Sequence, residues 1–99
     1  MAIGLIEVFG MATAYYAADA ACKAGDVVIE AFDKNKPANA DALPVPLLVM
    51  IKLKGSVADV EAAIEAAATA ADQIAGYETK YVMSNPSEGM EKFLQLSCI

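Results

Sequence analysis

The sequence predicts an α+β domain with a four-stranded antiparallel sheet, two helices on one face of that sheet, and a short C-terminal helix. Two apolar runs, Val27–Phe32 and Leu47–Leu53, flank a segment rich in Asn, Asp and Pro, which indicates two strands joined by a long hairpin loop. A helical pattern precedes this hairpin and another follows it. A further strand pattern lies beyond each helix. The resulting βαββαβ order is that of ferredoxin-like folds.

The first half of the chain contains a strand and a helix. Ala2–Phe9 has the length and composition of a strand, and Gly10 ends it. Met11–Ala24 has a helical pattern, with Lys23 in its last turn and Gly25 as the expected C-cap. The side chains predicted to face the core from this helix follow one stripe, namely Met11, Tyr15, Ala18 and Cys22.

The second half repeats the pattern in reverse. Ser56 and Asp59 resemble a capping box, so we expect the second helix to begin there and to end at Gly76. Tyr77–Met83 alternates as a strand with two different faces. Asn85, Pro86 and Glu88 then predict an N-cap, N1 and N3, starting a short helix that runs through Phe93 and Leu96. The predicted buried stripe of the second helix consists of Val57, Val60, Ile64, Ala67, Ala71 and Ile74.

The composition predicts one domain, residues 1–99, that associates with other copies. The chain is 58% hydrophobic and only 20% charged. So high an apolar content in so short a chain leaves apolar surface that a monomer cannot bury. We therefore expect an oligomer.

The charged residues argue against nucleic-acid and membrane partners. The net charge is −6, and all seven basic residues are lysines. Binding to nucleic acids and to anionic membranes depends on basic residues, which this acidic chain lacks. No apolar run has the length of a membrane span, and Glu7 interrupts the N-terminal apolar stretch where a signal peptide would be uncharged. We expect a cytoplasmic protein.

The residue inventory also argues against an enzyme. The chain has no histidine for acid–base or nucleophilic catalysis, and neither an arginine nor a glycine-rich loop for handling phosphate. The carboxylates show no calcium-loop spacing, and Cys22 and Cys98 are too far apart in sequence to suggest a zinc site. We expect no catalytic residues, no metal and no cofactor. Glu7 is interpreted as a carboxylate at the rim of the domain or at a subunit contact.

Four stretches in order resemble the bacterial microcompartment shell proteins. The opening residues 2–10 are similar to that family's Ala-x-Gly-x-Ile-Glu-x-x-Gly, and residues 18–24 to its Ala-x-Asp-x-x-x-Lys-Ala helix end. Residues 55–60 resemble the Gly-Asp-Val-x-x-Val at its second helix. The stretch that begins at Asn85-Pro86 resembles its Arg-Pro-His-x-x-x-Glu.

The resemblance implies a structural shell protein. Such proteins form cyclic hexamers that tile shell facets with other shell proteins around encapsulated enzymes, and small metabolites pass through a central pore. Lys23 and Asn85 would then lie at the edge between hexamers. The predicted pore loop consists of Asn35, Lys36, Pro37, Ala38, Asn39, Ala40, Asp41 and Ala42.

Two departures from the family pattern affect these expectations. The loop between the two hairpin strands is longer than the family's Lys-Ile-Gly-x-Gly turn and lacks glycine. Asn85 stands where the family has an arginine, so we expect weaker contacts between hexamers. The alternative hypothesis is an oligomeric regulator that binds a small ligand under the long loop, on the same ferredoxin-like scaffold.

Overall fold

The computed structural model describes residues 1–35 and 47–96, and it confirms the predicted βαββαβ order with a short C-terminal helix. The four strands form one antiparallel sheet in the order β2-β3-β1-β4. The strands are β1 (Ala2–Phe9), β2 (Val27–Asn35), β3 (Leu48–Gly55) and β4 (Tyr77–Met83), and the helices are α1 (Met11–Ala24), α2 (Val57–Asp72) and α3 (Met90–Gln95).

The core lies between one face of the sheet and the two long helices. Ile6 on β1 and Ile51 and Leu53 on β3 are fully buried there, together with Val60 and Ile64 on α2. Because neighbouring residues of a strand point to opposite faces, Leu5, Lys52 and their alternate neighbours lie on the other face of the sheet, here named the open face. The helix α3 packs on this open face.

The buried surface of α1 differs from the predicted stripe. Its buried residues are small: Thr13, Ala14, Ala17, Ala18 and Ala21. The prediction was wrong for Tyr15, which is 64% exposed, and for Cys22, which is exposed. The physical reason is the close approach of α1 to α2 and the sheet, which leaves room for alanine but not for a ring. Tyr15 instead packs edge-on against Phe32 of β2, with 5.2 Å between the ring centroids.

The second helix begins as predicted and ends slightly early. The Ser56 hydroxyl accepts a hydrogen bond from the Asp59 backbone N–H at 3.2 Å, as an N-cap does. The predicted stripe was wrong at both ends, since Val57 is 40% exposed and Ile74 is 51% exposed. Ile74 lies beyond the last turn of α2, where the chain bends back through Gly76 (φ 90°) into β4.

The third helix begins later than predicted. Residues 85–88 do not cap it; a turn follows instead, in which the Met90 N–H donates to the Ser87 carbonyl at 3.0 Å. Two lysines of β3 then attach α3 to the sheet. Lys52 donates to the carbonyl oxygens of Phe93 (3.3 Å) and Leu96 (2.7 Å), and Lys54 pairs with Glu91 at 3.1 Å.

Gly25 is the C-cap of α1, as predicted, and its N–H donates to the Ala21 carbonyl oxygen at 3.2 Å. Its backbone is extended (φ −149°) rather than left-handed, so conformational freedom does not explain the glycine. A Cβ at this position would lie 2.4 Å from the backbone carbonyl oxygen of Asp59. The end of α1 and the start of α2 are therefore in contact through backbone, and only a residue without a side chain fits between them.

We predict that Gly25→Ala destabilises the protein by about 1–3 kcal/mol, the usual cost of forcing an extra carbon into a packed site. The obstacle is backbone and cannot rotate away. The matched control is Gly89→Ala, because a Cβ there meets nothing within 4 Å and the backbone is already helical (φ −68°). Urea unfolding of both variants checks the prediction, and equal midpoints would contradict it.

Candidate functional site

The sheet register places the predicted functional residues at opposite ends of the domain. Asn35 pairs with Leu48 where β2 ends and β3 begins, and Phe9 of β1 pairs with the same Leu48. This end, named the loop end, is where the chain enters and leaves the segment 36–46. At the far end Gly55 pairs with both Ala2 and Val27. From Leu48 to Gly55 the strand rises about 3.3 Å per residue, so the two ends are roughly 23 Å apart.

Of the predicted pore loop, only Asn35 is described. It is the last residue of β2 and is exposed. Lys36, Pro37, Ala38, Asn39, Ala40, Asp41 and Ala42 lie outside the described residues.

Lys23 lies at the far end, in the last turn of α1. Its side chain is 76% exposed, and its amine lies 2.8 Å from the carboxylate of Asp19 one turn earlier. The hydrogen bond to Asp19 raises the pKa of Lys23 above the ordinary 10.5. The pair therefore favours the folded state below pH 10.5, and this contribution is lost as the pH rises through the raised value. Because the pair is exposed, its contribution is small.

Asn85 also lies at the far end, just after β4, and is exposed. It lines a small recess with Pro86 and Glu88 and with Lys54 and Glu91 of the open face. Lys23 lies in α1, which packs on β2 and β3, whereas Asn85 follows β4 at the other edge of the sheet. The two predicted edge residues thus lie at the same end of the domain but on opposite edges of the sheet, so they do not form one site.

The open face contains a cavity that sequence reasoning missed. It has a volume of about 330 Å³ and lies between the sheet and α3. Its lining is mostly apolar and includes three methionines. The residues around this open-face cavity are Ile3, Leu5, Glu7, Asp33, Asn35, Met50, Lys52, Met83, Met90, Phe93 and Leu94.

Two lysines organise the charges of the open face. Lys52 is only 8% exposed, and its amine lies 2.5 Å from the carboxylate of Asp33. The amine also donates to the carbonyl oxygens of Phe93 in α3 and of Leu96, the residue just after it. Lys54 lies between Glu30, at 2.8 Å, and Glu91, at 3.1 Å. Hydrogen bonds to these carboxylates, Glu30 first, raise the pKa of Lys54, so the pairs persist until the pH exceeds 10.5.

The sequence did contain a signal for this face. Lys52 and Lys54 alternate with Ile51 and Leu53, and Glu7 alternates with Ile6 and Val8, which is the pattern of a sheet with one polar face. Alternation cannot reveal that α3 returns to cover that face, because this contact joins residues about 40 positions apart. The cavity is a product of that long-range contact.

The described residues contain no cluster of metal ligands and no membrane-spanning helix. Within residues 1–35 and 47–96, no three Cys, Asp or Glu side chains are grouped so as to hold a metal ion. No helix in the same ranges combines the length and the apolar character needed to cross a bilayer. The candidate functional features are therefore an apolar cavity with a few charged groups, and the loop end and far end of the domain, which carry different residues.

Comparisons with known proteins agree on one family. Residues 2–86 match the family model described as BMC domain. The bacterial microcompartment shell protein PduA of Citrobacter freundii is 30% identical over 93 residues, covering 94% of this chain and 90% of that protein. The shell protein PduK of the same organism is 33% identical over 88 residues, covering 89% of this chain. The chain spans about half the length (51%) of that PduK relative.

A solved structure supports the fold. A microcompartments protein from Desulfitobacterium hafniense DCB superposes with a TM-score of 0.73 at 23% identity, covering 95% of this chain and 46% of that one. The sheet order, the matched residues and the identity to PduA together establish the relationship. The chain belongs to the BMC domain family of bacterial microcompartment shell proteins.

Proposed function

We propose that this protein is a structural, non-enzymatic component of a bacterial microcompartment shell in the cytoplasm. It forms cyclic hexamers that tile shell facets with other shell proteins around encapsulated enzymes. Small metabolites pass through a central pore lined by the loop that follows Asn35. The name shared by the PduA and PduK relatives supports the shell role.

The observation that carries the proposal is the separation of the two ends of the domain. In a ring, one end of each protomer faces the axis and the other faces the rim. The 36–46 segment leaves the sheet at the loop end, whereas Lys23 and Asn85 lie at the far end. This polarity suits a protomer whose loop faces the axis and whose edge residues face neighbouring hexamers.

Exposed apolar side chains supply a driving force for assembly. The two edge strands each carry one, Val28 on β2 at 57% exposure and Tyr81 on β4 at 64%. Tyr15 on α1 is equally exposed. Burying a fully exposed large apolar side chain stabilises by about 1.5–3 kcal/mol. These side chains are a little over half exposed, so each contributes a correspondingly smaller part, and several per interface together favour association. An edge strand also presents unpaired backbone groups to a neighbour.

We predict a mass of six times the 10.3 kDa chain, with larger assemblies at higher concentration. Light scattering on the purified protein at micromolar concentration and physiological salt measures it. The rival regulator would instead be a dimer or trimer whose mass changes with a ligand. A monomeric mass would end the hexamer proposal.

We predict that the loop lies at the axis. In a background with Cys22→Ser and Cys98→Ser, Asn39→Cys should form disulfides between protomers of one hexamer, at a yield independent of protein concentration. The control is Ser87→Cys, at the far end of the sheet, which should form disulfides only between hexamers and only at high concentration. The reverse pattern would place the loop at the rim.

We predict that Asn85→Arg strengthens contacts between hexamers and promotes sheets or tubes. Arginine offers a planar, charged fork to carbonyls and carboxylates across an edge, which an asparagine amide does not. Asn85→Lys is the matched control, because it adds the charge without the fork and should promote assembly less. Electron microscopy in dilute buffer is the measurement. The argument fails if the wild type already forms extended flat layers and Asn85→Arg leaves them unchanged.

A further inference from the structure

Two charged groups of the open-face cavity differ in their partners: among the described residues Glu7 has none, whereas Lys52 has three acceptors. Glu7 lines the cavity and is partly buried, and none of the described residues forms a hydrogen bond or an ion pair with it. Its cross-strand neighbours are Met50 on β3 and Thr79 on β4. No cation is directly opposite the carboxylate on either side.

Lys52 does not neutralise Glu7. An ammonium group has three N–H donors, and those of Lys52 are directed at Asp33 and at the carbonyls of Phe93 and Leu96. Lys52, the one cation among the described residues that line the cavity, is thus committed to three acceptors. Among the described lining residues an anionic ligand would find no uncommitted cation and would meet the Glu7 carboxylate, whereas a cationic ligand would pair with that carboxylate.

The rest of the lining suits the hydrocarbon part of such a ligand. Met50, Met83 and Met90 line the cavity together with Phe93. Methionine side chains adapt to ligand shape, and aromatic rings attract cations. A volume of about 330 Å³ is at the lower end of the range for small-molecule sites.

From these observations we infer that the open-face cavity is a binding site for a small alkylammonium compound. Its charged amine pairs with Glu7, and its hydrocarbon chain lies among the methionines. The charge complementarity selects this occupant over an anion or a neutral molecule. The inference does not depend on hexamer formation or on the position of the loop.

Methionine-methyl NMR of the full-length wild-type protein provides the test. The probes are hexylammonium, 1-hexanol and hexanoate, which share a chain and differ in the head group. Hexylammonium should shift the methyl signals of Met50, Met83 and Met90 saturably. Met11 should not shift, because it packs on the helix side of the sheet. Hexylammonium should bind about tenfold or more tightly than 1-hexanol, since only its head group forms a charge-assisted hydrogen bond, and hexanoate should bind weakest.

Two variants separate the carboxylate from the cavity. Glu7→Gln keeps the volume and removes the charge, so the affinity for hexylammonium should fall about tenfold while that for 1-hexanol stays the same. Met83→Trp should fill the cavity and weaken binding of both. The matched control is Glu61→Gln, an exposed carboxylate on α2, which should change neither.

Three results would overturn the inference. Equal affinity for the three probes, or unchanged hexylammonium affinity in Glu7→Gln, would remove the role of the carboxylate. Absence of saturable shifts in the wild type would show that the cavity is not a site for these molecules. If in addition Glu7→Gln dissociated the oligomer, Glu7 would belong to a contact between protomers.

Discussion

The structure depends on β3, which contributes to the core with one face and holds α3 with the other. It pairs with β2 on one side and β1 on the other, so it lies inside the sheet. On one face Ile51 and Leu53 are buried under the helices. On the other face Lys52 and Lys54 reach α3. A shift of one residue in the register of this strand would exchange the two faces, placing lysines in the core. The register therefore determines both the core and the open-face cavity.

The alanines determine how closely the layers pack. The buried face of α1 is almost entirely alanine, and a large part of the buried face of α2 is as well. Side chains of one carbon let the helix backbones approach each other, and Gly25 takes this to the limit where the two helices contact through backbone. Gly4 lets the side chains of Ile64 and Leu53 pack closely on the backbone of β1, because a Cβ there would lie 2.8 Å from their atoms. Several large side chains of the helices and edge strands, Tyr15 among them, remain exposed.

This arrangement connects stability to assembly. A core built largely from alanine buries little area per residue, since the stabilisation from burial follows the apolar area removed from water. The larger side chains that could add to it remain exposed on the helices and the edge strands. Contacts with other copies would bury them. An assembling protein is thus a natural consequence of where the fold puts its large and small apolar residues.

The sequence by itself determined the element order, most strand limits and the family. Turn residues and alternation are local signals, so β1 and β4 have the limits that were predicted for them, while β2 extends to Asn35, three residues beyond its predicted end. Helical faces were predicted less well. A 3.6-residue pattern in an alanine-rich helix does not show which stripe is inward, because alanine suits both the core and the surface.

Only the tertiary structure decided which groups meet. Three features depend on α3 folding back onto the sheet. Lys52 is buried, it binds the end of a helix about 40 residues away, and Glu7 faces a cavity. The late start of α3 at Met90, after a turn that takes the place of the predicted N-cap at Asn85, follows from the same docking. Sequence patterns report the preferences of neighbouring residues. The position of a lysine relative to a distant carbonyl is set by packing, and packing is a property of the whole fold.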